Sequence, residues 1–385
     1  MLIGLKSGGC MKIYKLNLIL FIMLVLCSCE KKITETVNAD SWKSVNTIPN
    51  DHYIINSKII GDKLYYHTMK WMGILDLNTG IPNLWDNMIG FYPYSGSHIS
   101  DNYLVGLSFD KKCISISKID TEIRRILLKK NSQDTTNYSC YIYPAFLDST
   151  FSTNCEIITS FKQPISSNGT NQFLFFFYEP SSEKYGIYSC LLDISYYKPY
   201  EWDNLLIYKK DRCIINKIDE TYSYDIQDIY YYKGKYVFSL HGNKIMDGNG
   251  NISDLSIRFS FDDIFEYQDK LWAVSGSHIY NTPDGDNWTD TGHTISPCPT
   301  FFEINGTLCA IVNESLFEVD LTNVKVYRLD NSGMDNHRIT SVNHNNKDVY
   351  VSTRGGLYTR PLSGFFKNKQ LLTNSKSGSL HLDKK

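Results

Sequence analysis

Seven times between residues 61 and 358 the chain repeats one plan: a polar turn, a strand of alternating apolar residues, a loop, and a second short strand. The first strand reads Asp62-Lys63-Leu64-Tyr65-Tyr66 at its earliest and Asn346-Lys347-Asp348-Val349-Tyr350-Val351 at its latest. The second strand centres on Ile74, Ile114, Ile187, Ile245, Ile279, Leu316 and Leu357. From Leu271, Leu308 and Val349 to Ile279, Leu316 and Leu357 the step is eight residues each time. A hairpin of this kind cannot bury its apolar faces alone, so repeated hairpins must stack.

The second-strand positions are separated by 40, 73, 58, 34, 37 and 41 residues. Four of these steps match one four-stranded blade of roughly 40 residues. The reading is therefore all-β: a single β-propeller of about seven four-stranded blades, with six or eight left open. The two long steps require insertions between residues 120 and 230, or a degenerate blade near Cys140–Phe161. The 28 tyrosines and 19 phenylalanines suit pleated, half-buried surfaces. Ser41-Trp42-Lys43-Ser44-Val45 is similar to Asn287-Trp288-Thr289-Asp290-Thr291, the outer strand after the fifth unit. Residues 41–48 are accordingly expected to finish the last blade, begun at 338–360, and so close the ring. The expected organisation is an export signal over 1–28, a tether over 29–40, the propeller over 41–366, and a polar, structureless tail over 367–385.

The N-terminus carries a basic n-region (Lys12, Lys15), an apolar run Leu16–Leu26, and then Leu26-Cys27-Ser28-Cys29. This resembles the lipobox of bacterial lipoproteins, which implies cleavage before Cys29 and acylation of that cysteine, including palmitate. A run of eleven residues is too short to span a bilayer. Met1–Cys10 adds nothing that such a signal needs, so the start is left open between Met1 and Met11. Glu30 is not the aspartate associated with inner-membrane retention, so the resemblance implies a lipid-anchored outer-membrane protein, facing either side.

Removing residues 1–28 takes away three lysines and no acid, leaving 36 basic against 41 acidic residues, a net charge of −5. Eight scattered arginines form no phosphate-binding stripe, so no nucleic-acid partner is expected. Seven cysteines follow Cys29, an odd number, and three of them (Cys113, Cys190, Cys309) sit in apolar runs as small buried hydrophobes. No CxxC or HExxH motif occurs, and neither a metal nor another cofactor is expected. Asp247-Gly248-Asn249-Gly250-Asn251 begins like a calcium loop, but Ile252 and Arg258 replace the required glycine and glutamate, so a solvated turn is expected.

Thr282-Pro283-Asp284-Gly285-Asp286-Asn287-Trp288 resembles a degenerate Asp-box, the structural turn of BNR-type propellers, here through Thr282, Asp284, Gly285 and Trp288. Val349–Tyr358 is similar to the repeat of regulator-type propellers of bacterial sensors, within the wider WD40- and YVTN-like class. The resemblance implies a propeller; it covers the C-terminal half well and residues 120–230 poorly. Among Asp-box propellers the sialidases pair an arginine triad and an Arg-Ile-Pro motif with their acids. Here the nearest match is Arg338-Ile339-Thr340, and no catalytic residue is nominated.

In a propeller, loops joining the two inner strands of each blade gather on one face around the axis, and the hairpins read here are taken as those inner strands. Those loops carry His67, Trp71, His241, His278 and Arg354, the candidate ligand-binding residues. Nearby are Lys70, Lys111, Lys112, Glu179, Lys184, Ser277 and Glu314, with Tyr92, Tyr94, His98, His337 and Arg338 in the blade-linking loops. Aromatic and charged side chains together suit a glycan or a peptide. The preferred expectation is a monomeric, non-catalytic, lipid-anchored propeller that binds a protein or glycan at the envelope. The alternatives are an extracellular glycoside hydrolase, sialidase-like, acting through axial carboxylates, and an envelope assembly factor.

Overall fold

The structure, a computed structural model, describes residues 41–48, 53–68, 71–86, 98–99, 103–107, 114–118, 139–142, 156–157, 165–192, 213–222, 226–257, 259–334, 337–372 and 380–384. Those residues form antiparallel sheets of four or five strands, with one short helix, the arrangement of a β-propeller. The seventh sheet receives β1 (Lys43–Ser44) from the N-terminus. The first holds β2 (Ile54–Ile60), β3 (Lys63–Thr68), β4 (Trp71–Asp76) and β5 (Pro82–Asp86). The second holds β6 (His98–Ile99), β7 (Tyr103–Leu107), β8 (Ile114–Lys118) and β9 (Ser139–Ile142). In the third, β10 (Glu156–Ile157) and β11 (Ile165–Ser167) both pair with β12 (Gln172–Glu179), followed by β13 (Lys184–Leu192) and β14 (Cys213–Thr221).

The fourth sheet is β15 (Ile226–Tyr232), β16 (Lys235–Leu240), β17 (Asn243–Met246) and β18 (Ile252–Asp254). The fifth begins with β19 (Phe261–Tyr267), β20 (Lys270–Ser275), β21 (His278–Thr282) and β22 (Thr289–Ser296). The sixth begins with β23 (Thr300–Ile304), β24 (Thr307–Val312), β25 (Ser315–Asp320) and β26 (Lys325–Arg328). The seventh holds β27 (Ile339–His344), β28 (Asp348–Thr353) and β29 (Gly356–Pro361), after which comes α1 (Leu362–Phe365). Among the described residues no helix is long and apolar enough to cross a membrane.

The hairpin read from sequence is the second and third strand of each sheet, not the innermost pair. A strand precedes it every time, and in four of the seven sheets that first strand carries a register shift, at Ile54/Asn56, Gln227/Ile229, Phe261/Asp263 and Ile339/Ser341. One extra residue reverses which side chains face which way, so the strand shows no period-2 pattern. The long repeat steps arise because 119–138 and 193–212 separate the third and fourth strands of two sheets.

The tail is a second correction. Residues Gln370–Leu371 form β30 on the outer edge of β26, and His381–Lys384 form β31 on the outer edge of β22. Leu380 and Leu382 give that segment apolar anchors, which a count of its lysines and serines conceals.

Strands β3, β12, β16, β20, β24 and β28 are buried along nearly their whole length, because both faces of each sheet are covered. Tyr65 and Ile74 pack with Ile99, Phe176 with Phe238, and Val237 with Leu271. Phe265 packs with Phe301, Cys309 with Val349, and Leu64 with Tyr350. The first strands of neighbouring sheets touch as well, β6 against β11 and β2 against β27 among them.

Between β2 and β27 the contact is polar. Ser57 Oγ lies 2.8 Å from Ser341 Oγ and 2.7 Å from Ser352 Oγ, and the Ser57 N–H donates to Ser341 Oγ at 3.0 Å. The Asn343 side-chain amide donates to the Ser57 carbonyl at 3.1 Å and accepts from the Ile59 N–H at 3.2 Å. A side chain thus supplies what a missing ladder would. On the other side of the seventh sheet, in the core it shares with the sixth, Trp42 is 3% exposed, edge-on to Phe365 at 6.0 Å, with its indole N–H donating to the Asp330 carbonyl at 3.0 Å. Arg360, 1% exposed, stacks over Trp42 at 5.8 Å and donates to the same carbonyl at 2.7 Å. Truncating a buried tryptophan costs about 3–5 kcal/mol. Trp42→Ala is therefore expected to lower the unfolding free energy by that amount, read as a lower urea midpoint at unchanged slope, and an unchanged midpoint would show that residues 42–44 hold nothing.

Candidate ligand face

Antiparallel order puts the link between second and third strands at the same end of a sheet as the start of its first strand. Side chains tie these ends across sheets. The Phe261 N–H, opening β19, donates to Ser239 Oγ at 3.1 Å and Asn243 Oδ1 at 3.2 Å, both at the second link of the preceding sheet. The Ile339 N–H, opening β27, donates to the Asn313 carbonyl at 3.0 Å. The second links therefore share one face.

The structure treats the sequence candidates differently. His241 is exposed in a turn at φ 51°, a left-handed conformation that histidine adopts more readily than bulkier residues. His278 opens β21 with its ring Nδ1 3.2 Å from Asp290 Oδ2. Arg354 lies over the Tyr53 ring at 5.1 Å, across the first and seventh sheets, and its N–H donates to the Arg338 carbonyl at 3.0 Å. His337 joins them, its ring set against Gly355 where any β-carbon would collide with it. His67 is different: it is fully buried at the end of β3, and burial lowers its pKa to about 3, so it is a neutral core residue near that face. Trp71 opens β4, but its side chain lies outside the described residues, as do Cys29, Lys70, Tyr92, Tyr94, Lys111, Lys112, Cys113 and the side chain of His98. Cys190 and Cys309 are buried, and Cys298 is exposed.

Three aromatic residues on this face were missed. Tyr222 is 71% exposed beyond β14, with Lys184 Nζ over its ring at 5.1 Å. Phe259 is 50% exposed, held against Gly276, whose φ of 56° and lack of a side chain let the ring approach. Tyr53 carries Arg354. All three sit in the links before a first strand, the part of the repeat that the sequence pattern does not index.

The opposite end holds the turns between third and fourth strands, and four of them use one device. Asp76, Asp247, Asp284 and Asp320 each accept bonds from backbone N–H groups two to four residues on. Such bonds stabilise the ionised form and hold all four carboxyls below the usual range. Asp284 is the most strongly lowered, chiefly by the Asn287 N–H. Its carboxylate also accepts from Thr282 Oγ1 at 2.8 Å, while Trp288 Nε1 donates to the Gly285 carbonyl at 2.9 Å and its ring meets Phe261 at 5.4 Å. The 247–251 segment is such a turn, closed by Asn251 rather than open to an ion.

At this same end lies Glu266 of β19. It accepts a hydrogen bond from the Tyr230 hydroxyl of β15 and feels Lys58 of β2 and Lys233. Its surface is accessible, yet desolvation raises its pKa, the combination expected of a carboxylate in a concavity. Sequence gives no sign of it, because its partners come from distant sheets. Among the described residues no three His, Cys, Asp or Glu side chains group as a metal site.

No family model matches the chain, and no curated protein is similar to it in sequence. Solved structures are similar in fold. One is a catalytically inactive virginiamycin B lyase from Staphylococcus aureus with quinupristin, at TM-score 0.53 and 10% identity, over 83% of this chain and 98% of that one. Another is the extracellular domain assigned to a hybrid two-component system of B. thetaiotaomicron, at TM-score 0.50 and 10% identity, over 83% of this chain and 40% of that one. Both are β-propeller-like, which fixes the fold and leaves the activity open.

Asp284→Ala removes a side-chain cap of backbone N–H groups, and the same kind of cap at a helix start contributes about 0.5–2 kcal/mol. A lowered carboxyl contributes stability above its unfolded pKa of about 3.9, and loses it as pH falls through the lower folded value. The expected result in denaturant titrations is therefore a full deficit at pH 7 that narrows only below the ordinary carboxylate range. A deficit unchanged down to pH 2 would assign it to packing.

Proposed function

We propose that this chain is a seven-bladed propeller, tethered by lipid on Cys29 at the bacterial outer membrane, whose ligand face binds a protein partner. The observation that carries the reading is the exposure of Tyr222 and Phe259 on the face that also presents Arg354, Tyr53 and His241. Aromatic residues and arginine are the types enriched at protein-binding hot spots. Seven blades in a closed ring are supported by the cores shared between neighbouring sheets and by the Ser57–Asn343 and Leu64–Tyr350 contacts between first and last. The 282–288 turn serves in this reading as an Asp-box, remote from the ligand. A tether of 29–40 keeps the disc near the membrane.

A hydrolase is the second reading, and Glu266 is what favours it: a carboxyl with raised pKa beside a tyrosine and a lysine is suited to acid–base work. It lies at the end opposite the aromatic face, so the two readings separate by mutation.

The test uses the soluble form lacking residues 1–29 as bait on envelope extracts and on a glycan array. His241→Gly, which relaxes a left-handed turn, is combined with Tyr222→Ser and Arg354→Ala; Ile81→Ser, exposed at the opposite end, is the control. Capture of a defined protein is expected to fall at least about tenfold in the triple variant and not in the control. Equal capture by both refutes the ligand face. Sugar binding lost in the triple variant would make the partner a glycan, and glycosidase activity abolished by Glu266→Gln alone would make the protein an enzyme.

A further inference from the structure

Strand β31 is an addition to a sheet that is complete without it. The first, second, fourth and seventh sheets have four strands, whereas the fifth has four contiguous strands plus this C-terminal segment. The segment pairs antiparallel with β22, His293 opposite Lys384 through Ser296 opposite His381. Its side chains alternate: Leu382, 6% exposed, points inward between exposed His381 and Asp383, and Leu380, at 2%, precedes it. Both leucines enter the core shared by the fifth and sixth sheets, with Ile295 and Val326. Main-chain pairing along an edge, with pockets for alternate side chains, is how a sheet recognises an extended peptide.

We propose that the outer edge of β22 is a peptide-binding site whose resident ligand is the chain's own segment 380–384, and that this ligand is exchangeable. The recognised chemistry is an extended strand with leucines two residues apart and polar residues between them. The segment is placed to detach without opening the ring, because its leucines add to the core of the fifth and sixth sheets from the outer edge, beyond the four strands that make each sheet. A free edge then accepts the same segment of a second copy.

A chain ending at residue 372 is titrated with a labelled peptide of sequence 377–385. Saturable binding is expected, with the Leu380→Ser, Leu382→Ser peptide at least about tenfold weaker. The proposal is overturned if the folded truncated chain does not bind, or binds both peptides equally. Should the truncated chain not fold, hydrogen exchange on the full chain decides. Amides 381–384 losing protection at lower urea than those of β20 support an exchangeable strand. Loss only with global unfolding makes β31 an integral strand and overturns it.

Discussion

A strand buried on both faces cannot stand at the outside of a molecule, and each fully described sheet here has one. Burying an aliphatic or aromatic side chain contributes about 1.5–3 kcal/mol, so a sheet with a bare face would forfeit the contribution of every residue on it. Each sheet must therefore be covered by two others. A linear stack leaves two sheets half-covered; a ring leaves none. The proposed ring is thus a consequence of how apolar the second strands are, and the bulged first strands, the turns and the ends of the chain serve to make it.

In the proposed ring the first and last sheets meet through an apolar core, as other neighbours do, and between β2 and β27 through polar groups as well. Ser57, Ser341, Ser352 and Asn343 satisfy one another and two backbone N–H groups in a buried seam. Buried polar groups tolerate few alternative arrangements, since each unpaired one costs about 1–3 kcal/mol, so this seam specifies one alignment of the two sheets. Trp42 and Arg360 tie β1 and the seventh sheet to the Asp330 carbonyl that follows the sixth. The free ends of the chain go to edges: β1, β30 and β31 cover the outer strands of three consecutive sheets, where exposed ladders invite association.

Much of the fold was legible because the second and third strands keep an unbroken pattern: Leu271 to Ile279 and Val349 to Leu357 are equal steps, and both positions are buried. The first strands were not, since a bulge at Ile54/Asn56 or Phe261/Asp263 breaks the period that reveals a strand. The site was legible in part. His241 and Arg354 stand in turns between indexed strands, so their common face followed from the pattern. His67 reads as a loop residue but lies one position inside the buried run of β3. Phe259 and Tyr222 lie in unindexed links, and Glu266 acquires its character only from Tyr230 and Lys58, sequence-distant neighbours.

The central claim is that residues 57 and 341, 284 apart in sequence, meet at a closing seam. Replacing both serines by cysteine tests it directly: the account predicts that oxidation of the folded monomer links the peptides containing positions 57 and 341, seen by mass spectrometry, with the β-sheet spectrum retained. A folded monomer in which those two cysteines stay reduced, or pair only between molecules, would contradict it.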